Sequence, residues 1–314
     1  MNTTESDVIG IDVSKAHLDC CIGRDNRSFQ INNSAQVVKA KMLKLQEELP
    51  RLFLVVESTG KYHATLFRVA TELSIPIAIV NPKRIRDFAK GVGQLAKTDR
   101  IDARIIARYA LTVETAPTSA PSKELEALRT LVTRRTDIVR MITQEQNRLG
   151  DIHDKLLIGS LKRHIKWLRK ECEALEAEIK ALSRSAEFSS KLSLLRGFKG
   201  VGDLSAAALI AFLPELGTLS KSAIAALVGV APFADDSGTS CRGKRRIWGG
   251  RCTVRSALYM CALTAIRCNP NIKSYYQSLR ARGKAAKVAL VAAMRKTIII
   301  LNAMLRDQAQ FQPI

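Results

Sequence analysis

VIGIDVSKAHLDCCI, from Val8 to Ile22, is two short apolar runs, VIGIDV at 8–13 and HLDCCI at 17–22, separated by S-K-A. Short β-rich runs joined by a polar break read as neighbouring strands, and RSFQI at 27–31 supplies a third, which gives a β meander. Working outward, a helical stretch near 35–48 precedes LFLVVE at 52–57, an apolar run of buried-strand character. S-T-G follows, then a helix near 62–73 and the strand PIAIV at 76–80. Strands alternating with helices predict an α/β sheet covered by helices. Asn81-Pro82 opens a basic helix-like segment with Lys83, Arg84 and Arg86, Gly91 and Gly93 break it, and 99–111 is helical again. A-P-T-S-A-P then reads as a linker, so a first domain is expected over 1–115.

Beyond the linker the pattern is helical. Leu161, Ile165, Leu168, Cys172, Leu175, Ile179 and Leu182 follow alternating steps of four and three, a heptad seam. Leu131, Ile138, Ile142, Leu149, Ile152 and Leu156 run in similar phase before it, interrupted by Arg135 and Glu145. A helical, coiled-coil linker is therefore expected over 116–187, folded as a hairpin or paired with a second copy. In the third region, 188–314, LLRGFKGVGDLSAAALIAFL at 194–213 has the form helix, glycine-punctuated turn, helix. Its turn reads either as a helix-hairpin-helix-like phosphate clamp aided by Lys199 or as glycine used for close packing. Later helices near 254–268 and 286–306 offer an apolar face and a basic one.

The chain has 314 residues, is 46% hydrophobic and carries 50 Lys and Arg against 29 Asp and Glu, a formal charge of +21. From Ser237 onward fifteen basic side chains meet one acid, Asp307, so a surplus of fourteen positive charges lies in the last quarter. Such density repels itself without a counter-charge, and a polyanionic partner is expected. No uninterrupted apolar run long enough to span a bilayer and no cleavable leader stand out, so the expected setting is the cytoplasm, with no membrane partner. The seven cysteines never fall as C-x-x-C, which argues for reduced thiols and against zinc.

Two constellations carry chemistry. Asp12 ends the first strand and Glu57 ends the central one, so a sheet would bring both carboxylates to one edge. Asp99 and Asp102 stand i and i+3 on a helix, hence on one face. Oxygen-only ligands of this kind suit Mg²⁺ or Mn²⁺, and two such ions can activate an attacking oxygen and stabilise a leaving one at a phosphodiester. Each carboxylate also has a plain reading: a turn cap for Asp12, a strand-end charge for Glu57, helix capping for Asp99 and Asp102. The second constellation is A-P-F-A-D-D-S-G-T-S-C-R-G-K-R-R-I-W-G-G-R-C-T-V-R at 231–255, a glycine-rich loop with Arg242, Lys244, Arg245, Arg246, Arg251 and Arg255 as phosphate-contact candidates. A serine attacking phosphate needs an exposed position and nearby positive charge, and arginine's planar fork matches phosphate oxygens. Chemistry alone does not choose Ser237 over Thr239, Ser240 or Cys241, and no His nearby supports a hydrolase triad.

Together these segments resemble the DEDD transposases of bacterial insertion sequences, the Piv-like, bridge-RNA-guided recombinases of the insertion-sequence 110 group. G-I-D at 10–12, V-E-S-T-G at 56–60 and K-T-D-R-I-D-A at 97–103 are similar to that family's RuvC-like, RNase H-fold domain. G-x-x-G-V-G at 197–202, G-V-A-P at 229–232, D-S-G-x-x-x-R-G at 236–243, G-G-R at 249–251 and A-L-Y-M at 257–260 are similar to its mostly α-helical transposase domain, with Lys199 where the hairpin commonly has proline. The resemblance implies an acidic, metal-binding tetrad of Asp12, Glu57, Asp99 and Asp102 and a catalytic Ser237. It also implies a covalent 5′-phosphoserine intermediate, sites chosen by a structured noncoding (bridge) RNA, and a homo-oligomer, a dimer that becomes a tetramer in synapsis. The rivals are a RuvC-like junction nuclease using water, which needs no Ser237, and a catalytically silent nucleic-acid-binding protein. A sugar-kinase-like ATPase is weaker, because no second phosphate loop matches and the C-terminal charge would be unexplained.

Overall fold

The computed structural model describes residues 7–58, 60, 62–94, 99–234 and 245–312. The chain divides into two compact units, Met1–Ala120 and Pro121–Ile314.

The first unit is built on a five-stranded mixed sheet. β1 (Asp7–Val13), β2 (His17–Ile22) and β3 (Ser28–Asn32) form the meander. β4 (Leu52–Glu57) and β5 (Ile77–Val80) lie parallel to β1, which gives the order β3-β2-β1-β4-β5. Ser14 turns the chain between β1 and β2: its amide and its hydroxyl both donate to the His17 carbonyl, and its Oγ accepts from the His17 amide. Because side chains alternate across a strand, Ile9, Ile11 and Val13 join Leu54 and Val56 on one face. There α1 (Ala35–Glu48) covers them with Val38, Met42 and Leu45, and α2 (Ala64–Glu72) with Leu66, Val69 and Ala70. Val8, Phe53, Val55, Ala78 and Val80 form the opposite face, under Ile85 of α3 (Pro82–Gly91) and Ile105, Ile106 and Tyr109 of α4 (Asp99–Thr112). A central strand covered on both sides reads as an unbroken apolar run, which is why LFLVVE does. A mixed sheet with helices on both faces, followed by a largely helical remainder, agrees with the α/β first domain and mostly helical rest that the sequence pattern predicts.

α4 sets the geometry of the sheet's working end. A Cβ built on Gly10 would collide with the Ala107 amide nitrogen and the Ala103 carbonyl, so only glycine lets α4 lie this close to β1. Leu111, one turn beyond Ala107, reaches Gly23, whose amide donates to the Val8 carbonyl at the start of β1 (2.8 Å). α4 therefore runs back along β1, with its N-terminus at the Asp12 end. Gly10→Ala is expected to destabilise the first unit by about 3 kcal/mol, at the upper end for overpacking, because the obstacle is backbone and cannot rotate away. Chemical denaturation against the wild-type checks this, and an unchanged midpoint would place α4 elsewhere.

Among its described residues the second unit is helical apart from one small hairpin. α5 (Lys123–Asp151) and α6 (Lys155–Ser183) pack as a helical hairpin along the expected seam, with Ile138, Leu168 and Cys172 buried between them. Both interruptions in the α5 pattern find partners on α6: Arg135 reaches Glu176 (2.7 Å), and Glu145 meets His164 (3.4 Å). The near end of α5 is continuous with the main core, where Leu128 and Val132 pack with α7 (Ser189–Arg196) and α8 (Asp203–Phe212). α9 (Lys221–Val228), α10 (Cys252–Cys268), α11 (Pro270–Ala281) and α12 (Ala286–Arg306) complete this unit, with β6 (Pro232–Ala234) and β7 (Arg245–Ile247) antiparallel between α9 and α10. α12 is long and apolar enough to cross a membrane, although no such run stood out in the sequence, where Arg295 and Lys296 interrupt it. In the fold it is a core helix that buries Leu290, Met294, Ile298 and Leu301.

Candidate active site

Asp12 and Glu57 sit at the same end of the sheet and on the same face. The parallel register pairs Gly10 with Val55 and Ile11 with Val56, so the next step sets Asp12 beside Glu57. By alternation Asp12 shares the α4 face with Val8 and Gly10, and Glu57 shares it with Phe53 and Val55. Asp12 Oδ1 accepts from the Val13 amide (2.9 Å), which orients the carboxylate at the strand end. Asp102 is partly buried next to Ala103, whose carbonyl faces Gly10, so the first turn of α4 delivers it to this same end. Asp99 begins α4, and its side chain lies outside the described residues.

One acid escaped the sequence reading. Asp19 on β2 stands directly opposite Asp12 in the antiparallel register, is 7% exposed, and accepts from Gln30 Nε2 (2.9 Å). The signal was the alternation of H-L-D-C-C-I, which turns Asp19 and Cys21 to one face, but that face is known only once β2 is registered against β1. Two carboxylates in cross-strand register oppose each other unless positive charge answers them. Among the described residues no three acids, thiols or imidazoles are gathered closely enough to hold an ion by themselves. The donor chemistry at this end nevertheless fits a hard divalent cation: the acids offer only oxygen. Cys20 faces the opposite side of the sheet, and burial first, then the Asp19 charge, pushes its thiol well above the usual range.

Ser237, Arg242 and Lys244, with Thr239, Ser240 and Cys241, lie outside the described residues, as do the side chains of Arg245 and Arg246. What is described is the stem from which residues 235–244 depart. Phe233 pairs with Arg246 across β6 and β7. At the base Gly229 and Gly250, both at positive φ (80° and 78°), pack backbone against backbone, so that a Cβ on either would strike the other strand. G-V-A-P and G-G-R are thus two halves of one clasp. The Arg251 amide donates to the Leu227 carbonyl (3.1 Å), and Arg255 Nη1 to the Gly249 carbonyl (2.5 Å). The Arg251 guanidinium forks onto Glu215 (2.5 and 2.6 Å) and reaches the Phe212 carbonyl (3.0 Å). Lys199 is exposed in the turn between α7 and α8, where a Cβ on Gly200 would stand 2.7 Å from Ala265 Cβ, so close packing against α10 explains that glycine.

Two family models match the chain, one described as "Transposase" over residues 9–156 and one as "Transposase IS116/IS110/IS902 family" over 192–277. The chain belongs to the IS110-type transposases. It is 28% identical to the pilin gene-inverting protein of Moraxella bovis over 96% of this chain and 97% of that one. An uncharacterized 43.6 kDa protein of insertion element IS110 from Streptomyces coelicolor is 32% identical, over 48% of this chain and 37% of its own length. Among solved structures, Thermus thermophilus RuvC superposes with a TM-score of 0.29 at 17% identity, covering 35% of this chain and 99% of that one. The transposase is accordingly an enzyme of DNA recombination, with DNA as its substrate.

Glu215 couples the transposase's loop stem to its helical core. Burial would raise its carboxyl, but the Arg251 hydrogen bonds and charge, with Arg129 behind them, outweigh this and hold it below its ordinary value of 4.5. A carboxyl depressed in the folded state contributes stability that is present in full above the unfolded value and is lost as pH falls through the folded one. Glu215→Gln is therefore expected to lower the melting temperature at pH 7 and to narrow its gap to the wild-type as pH falls below 4.5. Thermal melts across that range check it, and a gap that widened in acid would contradict it.

Proposed function

We propose that the chain cleaves and rejoins DNA strands through a covalent 5′-phosphoserine formed at Ser237, with Mg²⁺ or Mn²⁺ held by Asp12, Glu57, Asp99 and Asp102. The observation that carries the metal half is the course of α4, which brings Asp102 to the sheet end where Asp12 and Glu57 stand side by side. When bound, the ion supplies Lewis acidity at a phosphodiester oxygen. The chain's own contribution there is oxygen donors fixed by strand register and a helix pressed onto Gly10.

For the serine half, the support is the glycine clasp, which seats the residues on either side of 235–244 beside α9 and α10. Arg242, Lys244, Arg245, Arg246 and Lys199 serve as phosphate contacts. Arg251 and Arg255 act beside them as braces, since protein acceptors already take part of their donor capacity. Sites are chosen by a structured noncoding RNA held through the diffuse basic surface. In the three-part working division, 116–187 is the association arm: Leu156 and Leu157, where α6 begins, are 78% and 52% exposed, and a second copy covers them in a dimer or synaptic tetramer. The protein works at chromosomal DNA, in the cytoplasm.

Incubating the chain with end-labelled element DNA, the transcript flanking its gene and Mg²⁺ tests this reading. Label retained on protein under denaturing conditions supports it. Free cleaved ends without retained label favour the water-using nuclease, and RNA-independent adducts remove the guide.

A further inference from the structure

Five of the large apolar side chains left exposed fall between residues 233 and 260: Phe233 at 48%, Ile247 at 39%, Trp248 at 63%, Tyr259 at 44% and Met260 at 57%. Backbone pairing brings four positions of the stem together. Pro232 stands opposite Ile247 and Phe233 opposite Arg246, and Trp248 follows directly. Residues two apart along a strand share a face, so Phe233, opposite Arg246, and Trp248, two beyond it, lie on one side of the hairpin. The result is a pair of exposed aromatic rings on one face of the stem that flanks residues 235–244.

From Ser237 to Arg306 the sequence has no acidic residue, and Asp235 and Asp236 stand just before that stretch. A protein partner would be expected to meet an apolar centre from which charge has been cleared. Here arginine and lysine flank the tryptophan in sequence: Arg242, Lys244, Arg245 and Arg246 precede Trp248, and Arg251 and Arg255 follow it. A DNA duplex satisfies the charge but hides its base faces in the stack. An unpaired strand offers phosphates and open base faces together, and stacking of bases on aromatic side chains tolerates any sequence.

We infer that Trp248 and Phe233 form a stacking platform for unpaired bases of the DNA strand beside the scissile phosphate. The inference rests on the reading in which Ser237 attacks DNA, since that places a DNA strand at this stem. The platform grips bases freed from the duplex and so fixes the phosphate that follows them. Local opening of the DNA is then a requirement of the cut.

The chain has two tryptophans, and the other, Trp167, lies on α6, so full-length Trp167→Phe reports Trp248 alone. Titration with single-stranded oligodeoxythymidylate is expected to quench Trp248 emission, and a duplex of equal length to leave it nearly unchanged. Trp248→Leu, apolar but without a π-face, is expected to lose about tenfold in single-strand affinity while duplex affinity changes less than about twofold. Trp248→Phe should restore most of the loss, which a folding defect would not do. Equal quenching by duplex, tighter quenching by an oligouridylate of equal length than by the DNA strand, or emission that shifts with protein concentration alone each overturns the inference, the last in favour of a contact between copies. Adduct formation measured in parallel separates the two claims. Quenching without adduct removes the serine reading and leaves a base-binding surface, whereas adduct without quenching removes the platform and leaves the serine.

Discussion

Replacing Asp102 by asparagine is expected to reduce DNA strand cleavage by about a thousandfold or more while nucleic-acid affinity stays within about twofold of the wild-type, because the lost interaction is to metal and not to phosphate. The position is informative because α4 lies against the sheet through Ala103 and Ala107, so Asp102 is carried by a helix whose seat at Gly10 does not involve its carboxylate. Asparagine keeps the shape and one oxygen, so unchanged thermal stability is part of the expectation. Asp12→Asn and Glu57→Gln should behave alike, since the register sets those two positions side by side. Asp19→Asn tests the acid that the register adds: a fall in metal affinity there would place it in the ion's surroundings. Cleavage, quantified on labelled DNA as a function of Mn²⁺ concentration, is the measurement. An Asp102→Asn enzyme that cut at the normal rate would remove α4 from the site.

Ser237→Ala is expected to abolish the covalent adduct and recombination together, leaving binding of RNA and DNA and the oligomeric state as in the wild-type. The size of the effect follows from the role: a nucleophile lost from a two-step mechanism closes the route. Ser240→Ala, three residues away in the same glycine-rich loop, is expected to retain measurable chemistry, because its hydroxyl would serve loop geometry or a phosphate hydrogen bond. Gel-resolved adduct yields from the two variants, side by side, check the pair. Equal losses would assign the loop a shared structural role.

The sheet was legible in the sequence wherever burial left an unbroken or alternating apolar pattern. VIGIDV, LFLVVE and PIAIV are strands, and the helix beginning at Asp99 runs where its periodicity says. Contacts between distant segments were not legible. Gly10 reads as one letter of a motif until α4 is laid across it, and Asp19 becomes an inward-facing acid only through its pairing with Asp12. Arg251 and Arg255 read as phosphate contacts because a dense basic run has no local acid, and the carboxylate that Arg251 forks onto comes from Glu215, in the turn after α8. The turn at Gly200 was balanced between phosphate binding and packing. Ala265, far along the chain, supplies the packing explanation.

The most direct test of the central claim is peptide mapping of the protein–DNA adduct. Full-length protein, flanking transcript, element DNA and Mg²⁺ are allowed to react, the DNA is digested to a nucleotide remnant, and trypsin then releases residues 222–242, which hold Ser237 together with Thr239, Ser240 and Cys241. Fragmentation is predicted to place a 5′-phosphate-linked nucleotide on Ser237. A remnant on Ser240 or Cys241, or efficient cleavage with no remnant on any residue, would contradict it.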